Sequence, residues 1–205
     1  MVLDINSEDL ANIEAAIAAK GKIWENKLLN DFKRKIKIYN RYKQNEQCCY
    51  CRKNFKGEFN MVIDIEHILP KNQYKHLMFA TYNLSISCKR CNMNIKKEDI
   101  SFLTDIVSVN ANPTDSNLYK IIHPNFDNYF THLEYHTQTI NDKKIIKYKI
   151  VADSSKGQFT YNYFQLTELE IDSINKAQGL KEIEELSDAI DPKIAKRIEN
   201  LLKNK

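Results

Sequence analysis

Apolar positions in the first quarter of the chain recur at helical spacing. Ser7 precedes Glu8 and Asp9, an N-cap followed by acids in a first turn, and the amphipathic run continues to Lys20 before Gly21. This pattern predicts a first helix over 7–20. Ile23, Trp24, Leu28, Phe32, Ile36 and Tyr39 then fall on one stripe, which predicts a longer second helix ending before the cysteines at 48–51. From there to about residue 100 the texture changes. Short strand-like pieces stand at 55–58 and 61–66, little periodicity marks 70–85 as a loop, and CKRCNMNIKK reads as the start of a short basic helix. Further on, HLEYHTQTI and KKIIKYKIV flank Asn141 and Asp142 and predict a hairpin. Thr167 with Glu170 fits a capping box for a helix toward Gly179, and Asp191-Pro192 suits the start of a final helix through Leu202. The class expected is α+β. It comprises a helical extension at 1–46, a core at 47–100, and a hairpin with helices at 101–205, packed as one compact domain.

Composition narrows this picture. Of the 205 residues 42% are hydrophobic and 28% charged, the balance of a globular chain, and Gly and Pro number only four each, so long linkers are not expected. The start, MVLDINSEDLANIEAAIAAK, lacks the basic-then-apolar order of an export signal, and a cytoplasmic protein is expected. Five cysteines in a reducing compartment point to metal rather than disulfides. A net charge of +4 is mild, but its distribution is not: nine Lys or Arg lie between Lys20 and Lys43 against only Glu25 and Asp31. Interleaved with Trp24, Phe32, Tyr39 and Tyr42, this stripe suits either a phosphate backbone or a solvated helix face with its aromatics in the core.

The cysteines carry the sharpest spacing. Cys48 and Cys51 form one CxxC, and Cys88 and Cys91 form another. Each knuckle turns two sulfurs toward one ion, and two knuckles complete the four-sulfur shell of a structural zinc. Such a shell has no open position, so this metal is not the catalytic one. Within CCYC only 48 and 51 have the required spacing, which leaves Cys49 to the core.

Between and just after the knuckles stand Asp64, Glu66, His67, Asn83 and Asn92. The segments CCYC, DIEHILPK and NLSISCKRCNMNIKK, spanning 48–97, resemble the HNH endonuclease superfamily in the order of their motifs. The resemblance implies a ββα-metal core stapled by the zinc, and hydrolysis of DNA phosphodiester bonds. Chemistry on the residues runs parallel to it. His67 is the histidine able to take a proton near neutral pH, and is the candidate general base. Glu66 and Asn92 offer hard oxygen donors, with Asp64 a further candidate, and these favour Mg²⁺ or Mn²⁺. Asn83 is expected to orient the imidazole by accepting its other N–H, and Lys89, Arg90, Lys96 and Lys97 to hold nucleic acid. The last motif position, often histidine in the family, is Asn92 here.

One geometric tension accompanies this reading. Adjacent strand residues point to opposite faces, so Glu66 and His67 can share a phosphate only if the strand breaks, and Pro70 argues for a break. Of the other histidines, His76 in the loop is expected on the surface, with DNA contact the alternative, and His123, His132 and His136 in capping or core positions. The segment HPNFDNYFTHLEY resembles the region downstream of the core in bacterial defence-associated HNH nucleases. That resemblance implies an anti-phage role, beside an ATPase or sensor subunit or as a homodimer. The competing function is a zinc-bearing DNA-binding or adaptor protein that binds without turnover, and a lesser one is RNA cleavage.

Overall fold

The computed structural model describes residues 1–140 and 143–170. Its helices are α1 (Ser7–Ala18), α2 (Asn30–Lys43), α3 (Ile106–Ala111) and α4 (Ser155–Tyr163), and its strands β1 (Ile63–His67), β2 (Leu84–Cys88), β3 (Leu133–Ile140) and β4 (Lys143–Ile150). A π-helix, Arg90–Lys96, follows β2. β1 pairs with β2 and β3 with β4, giving two small antiparallel sheets among helices, an α+β arrangement. Two compact units are distinguished: Met1–Tyr135 with Tyr148–Thr167, and His136–Lys147 with Glu168–Lys205. In the second unit the described part is the adjoining ends of β3 and β4 and residues 168–170.

α1 starts one residue earlier than the sequence suggests. The side chain of Asn6 accepts from the Asp9 amide at 3.0 Å, while the Asp9 carboxylate accepts from the Asn6 amide at 2.9 Å, a reciprocal capping box. Asp9 also receives Lys35 Nζ at 2.6 Å, which fastens α1 to α2. The second helix is not continuous as expected. At Asn26 the backbone is extended and the side chain accepts from the Leu28 amide, so two single 3₁₀ turns, Ile23–Glu25 and Lys27–Leu29, precede α2. A short polar side chain that bonds its own backbone competes with helix, and here it wins.

α2 lays Phe32 and Ile36 on Leu84 of β2, with Leu3, Ile5, Ile13, Trp24, Ile65 and Phe79 packed around them. Each fully buried side chain of this size contributes ~1.5–3 kcal/mol. At the end of α2, Gln44 zips the helix to β2: its Oε1 accepts from Ser85 Oγ at 2.8 Å and from the Ile86 amide at 2.9 Å. β2 itself corrects the expected loop at 70–85, whose last residues already belong to the strand. No strand forms at 55–58, where a lone bridge joins Gln47 to Asn54 and Gly57 turns the chain at φ 82°. The helix expected to open at Thr167 is already helical at 166. Its continuation, the Asn141-Asp142 turn and the final helix lie outside the described residues.

Register in the first sheet is fixed by burial. Ile63 faces Cys88, Asp64 faces Ser87, Ile65 faces Ile86, Glu66 faces Ser85 and His67 faces Leu84. β1 has no strand on its other edge among the described residues.

Candidate active-site cleft

Four thiols gather at one end of the sheet. Cys48, Cys51, Cys88 and Cys91 are all buried, and their Sγ atoms lie within 4.8 Å of one another. The Cys51 and Cys88 sulfurs are 3.7 Å apart, close to the roughly 3.8 Å edge of a tetrahedral shell with metal–sulfur bonds of about 2.3 Å. The cluster can therefore hold a metal such as zinc. It joins the knuckle that precedes β1 in the chain to the end of β2, so an ion there would clamp one end of the sheet, where Cys88 faces Ile63. Cys49 is outside the cluster, as its spacing implied. Its amide donates to the Ile86 carbonyl, and burial pushes its thiol well above the ordinary range.

A cleft of about 630 Å³ opens along the free edge of β1. Asp64, Ile65 and His67 line it from the strand, and Asn92, Met93 and Lys97 from the π-helix and its end. Lys33, Arg34 and Lys37 of α2 form the facing wall with Trp24, and Lys71 closes one side. Thus the basic stripe sends Phe32 into the core and three cations onto the cleft. The π-helix matters because its wide turn, closed by the Lys97 amide on the Asn92 carbonyl at 2.7 Å, sends Cys91 and Lys96 inward and Asn92 toward the cleft.

His67 ends β1 nearly buried, its ring edge-on to Trp24 with centroids 4.4 Å apart. Nε2 lies 3.1 Å from the Met78 carbonyl, an acceptor, so Nε2 carries the proton and Nδ1 is the free base. Burial pushes the imidazole down to about 3, which keeps it neutral near pH 7.

Asn83 does not orient this ring. Its Oδ1 accepts from the Leu69 amide at 2.7 Å, and its Nδ2 donates to the carbonyls of Leu69 and Leu77. Asn83 instead stitches the loop after β1, and that loop delivers Met78 to the histidine. The orienting group is a backbone carbonyl, which no residue pattern announces.

Glu66 is also corrected. The strand does not break before His67, so Glu66 turns inward and is fully buried. Lys96 Nζ sits 2.8 Å from its Oε1, Tyr50 donates to the same oxygen at 3.1 Å, and Ser87 Oγ lies 3.5 Å from Oε2. Burial raises the Glu66 carboxyl above its usual range, with Lys96 pulling the other way. Lys96 is thereby removed from the nucleic-acid contacts expected of it. It is buried, and it also donates to the His67 carbonyl at 2.9 Å, supporting the end of β1 from behind. Arg90 is likewise committed elsewhere, donating to the carbonyls of Phe164 and Gln165 at 2.9 Å each.

The oxygen donors beside His67 are Asp64 and Asn92. Asp64 Oδ2 accepts from Asn92 Nδ2 at 3.2 Å, and Oδ1 receives Lys89 Nζ at 3.1 Å. The Asp64 side chain is 19% exposed against 0% for Glu66, enough for the former alone to meet a ligand from solvent. Lys89 and Lys97 are exposed, Lys89 on Asp64 and Lys97 on the cleft. Lys33, Arg34 and Lys37 are signalled in the sequence by their charge run alone, and Lys71 lies outside that run.

The remaining histidines separate cleanly. His123 is buried between Tyr119 and Phe126 and accepts from the Asn125 amide on Nδ1, a core residue whose imidazole burial also lowers to about 3. His132 bonds Ser154, the N-cap of α4, and His76 and His136 are exposed.

Among curated proteins the chain is similar to the Septu protein PtuB of Bacillus thuringiensis, with 28% identity over 126 residues. The match covers 62% of this chain and 38% of that protein, so the chain spans well under half of its relative's length. No protein-family model matches, and no solved structure does. No helix among the described residues is long and apolar enough to cross a membrane.

Proposed function

We propose that the chain is a metal-dependent HNH-type endonuclease that hydrolyses DNA phosphodiester bonds, acting as the nuclease of an anti-phage defence system. The observation that carries this reading is the state of His67. Its Nε2–H is tied to the Met78 carbonyl, which leaves Nδ1 as acceptor in a cleft walled by Lys33, Arg34, Lys37, Lys71 and Lys97. Cations at that density suit a phosphate backbone and carry little sequence information. The similarity to Septu protein PtuB supports the defence setting and, with it, a partner subunit from such a system.

A structural zinc in the cysteine cluster fits the sulfur donors. For the catalytic ion the donors that fit are Asp64 and the free Oδ1 of Asn92; Glu66, locked against Lys96, is not among them. When bound, Mg²⁺ or Mn²⁺ supplies counter-charge to the phosphorane and leaving oxygen. The chain does the rest. The cleft cations align the backbone, and His67 Nδ1 receives the proton of the attacking water. A phosphate anion nearby raises the proton affinity of the ring, offsetting part of the burial penalty as substrate arrives.

The test is incubation of the full chain with supercoiled plasmid and Mg²⁺ or Mn²⁺, with a matched RNA in parallel. Wild type nicks or cuts the plasmid, and His67→Ala lowers the rate by about two orders of magnitude or more. Equal cleavage by both would refute the assignment. Tight binding without cleavage by either would favour the adaptor reading, and preferential loss of the RNA would move the substrate class.

A further inference from the structure

Just before β1 the chain presents an apolar tip to solvent. Phe59 is 80% exposed, Met61 84% and Val62 39%. Isolated exposed apolar residues are ordinary, but three within four positions are not. Between them, Asn60 lines the cleft.

The tip is held firmly. Lys37 Nζ donates to the Asn60 carbonyl at 2.7 Å. Arg41 donates to Asn60 Oδ1 at 2.9 Å and to the carbonyls of Glu58 and Phe55 at 3.3 Å each. Both cations belong to α2, and Lys37 also lines the cleft. One side chain thus serves the cationic wall and pins the apolar tip at its rim. Cations for a phosphate backbone beside an exposed aromatic and a thioether is the combination that binds bases out of the stack.

We propose that Phe59 and Met61 form a nucleobase-contact site, where an unpaired or unstacked base packs on the Phe59 ring and Met61 while its backbone lies in the cleft. The site selects locally opened duplexes over fully paired ones. This inference rests on the nuclease reading and names its substrate structure.

The test uses the full chain carrying His67→Ala, so that bound DNA survives. Affinity is measured by anisotropy for a fully paired duplex and for the same duplex with a short unpaired run containing 2-aminopurine. The opened duplex should bind about tenfold tighter, with the probe quenched by stacking. Phe59→Ala with Met61→Ala should bring that ratio close to one and abolish the quench, leaving affinity for the paired duplex and the melting temperature unchanged. Phe59→Trp should retain the preference. A ratio unchanged in the double variant, or an equal loss on both duplexes, would overturn the proposal. Plasmid cleavage by the parent chain is scored separately. Cleavage without base preference removes this site alone, whereas failure to bind either duplex removes both readings.

Discussion

Asp64 and Glu66 are two residues apart on the same strand and share a parity, yet the fold treats them oppositely. Asp64 is partly exposed at the cleft, touching Asn92 and Lys89. Glu66 is buried against Lys96, Tyr50 and Ser87. Period-2 alternation tells which side chains share a side of a sheet, but not how deep each lies. Depth here is set by what packs behind: the π-helix rolls Lys96 under Glu66, whereas near Asp64 the same element turns Asn92 outward. One acid serves the frame and its neighbour faces the cleft.

The sharpest way to break this division is to remove the frame. Cys88→Ala should release the single zinc per chain and unfold the first sheet, seen as loss of metal by elemental analysis and of near-UV dichroism. Retained structure without metal would detach the site from the cluster. Next in size is the buried pair. Glu66→Ala leaves Lys96 charged and unpaired and should cost ~3–5 kcal/mol in urea unfolding, while Glu66→Gln with Lys96→Met should recover most of it. A loss below about 1 kcal/mol would mean Glu66 is solvated and free to bind an ion.

A smaller effect comes from the second buried imidazole. His123 titrates near 3 in the fold against 6.5 when unfolded. The unfolded chain therefore binds the extra proton between these values, and stability is intact above 6.5 and falls as pH drops toward 3. His123→Phe should flatten that acid limb by ~2 kcal/mol between pH 6.5 and 5, and it should leave plasmid cleavage intact. His67 shares the same depressed value but lines the cleft, so position, rather than the shift, separates it from His123.

The legible parts of the chain were those whose chemistry is local. Two CxxC pairs bring four sulfurs together because spacing alone dictates knuckle geometry. His67 stood out because its neighbours form a strand ending in a polar turn. What was hidden depended on partners distant in sequence. The acceptor for His67 is a main-chain carbonyl at Met78, invisible to residue type, and so Asn83 was assigned its task. Lys96 looked like a surface lysine because nothing within the run KK shows which one the π-helix will bury. β2 escaped because Ser85 and Ser87, both fully buried, masked the alternation of Leu84, Ile86 and Cys88 as loop polarity.

The most direct test of the division between the two acids is a metal titration of plasmid cleavage by Asp64→Asn and Glu66→Gln, each folded and zinc-loaded. The Mg²⁺ or Mn²⁺ concentration at half-maximal rate should rise by about tenfold or more for Asp64→Asn, as expected when a charged oxygen donor is lost. For Glu66→Gln it should stay at the wild-type value, whatever the loss in stability. A shifted metal requirement in Glu66→Gln with none in Asp64→Asn would contradict the account.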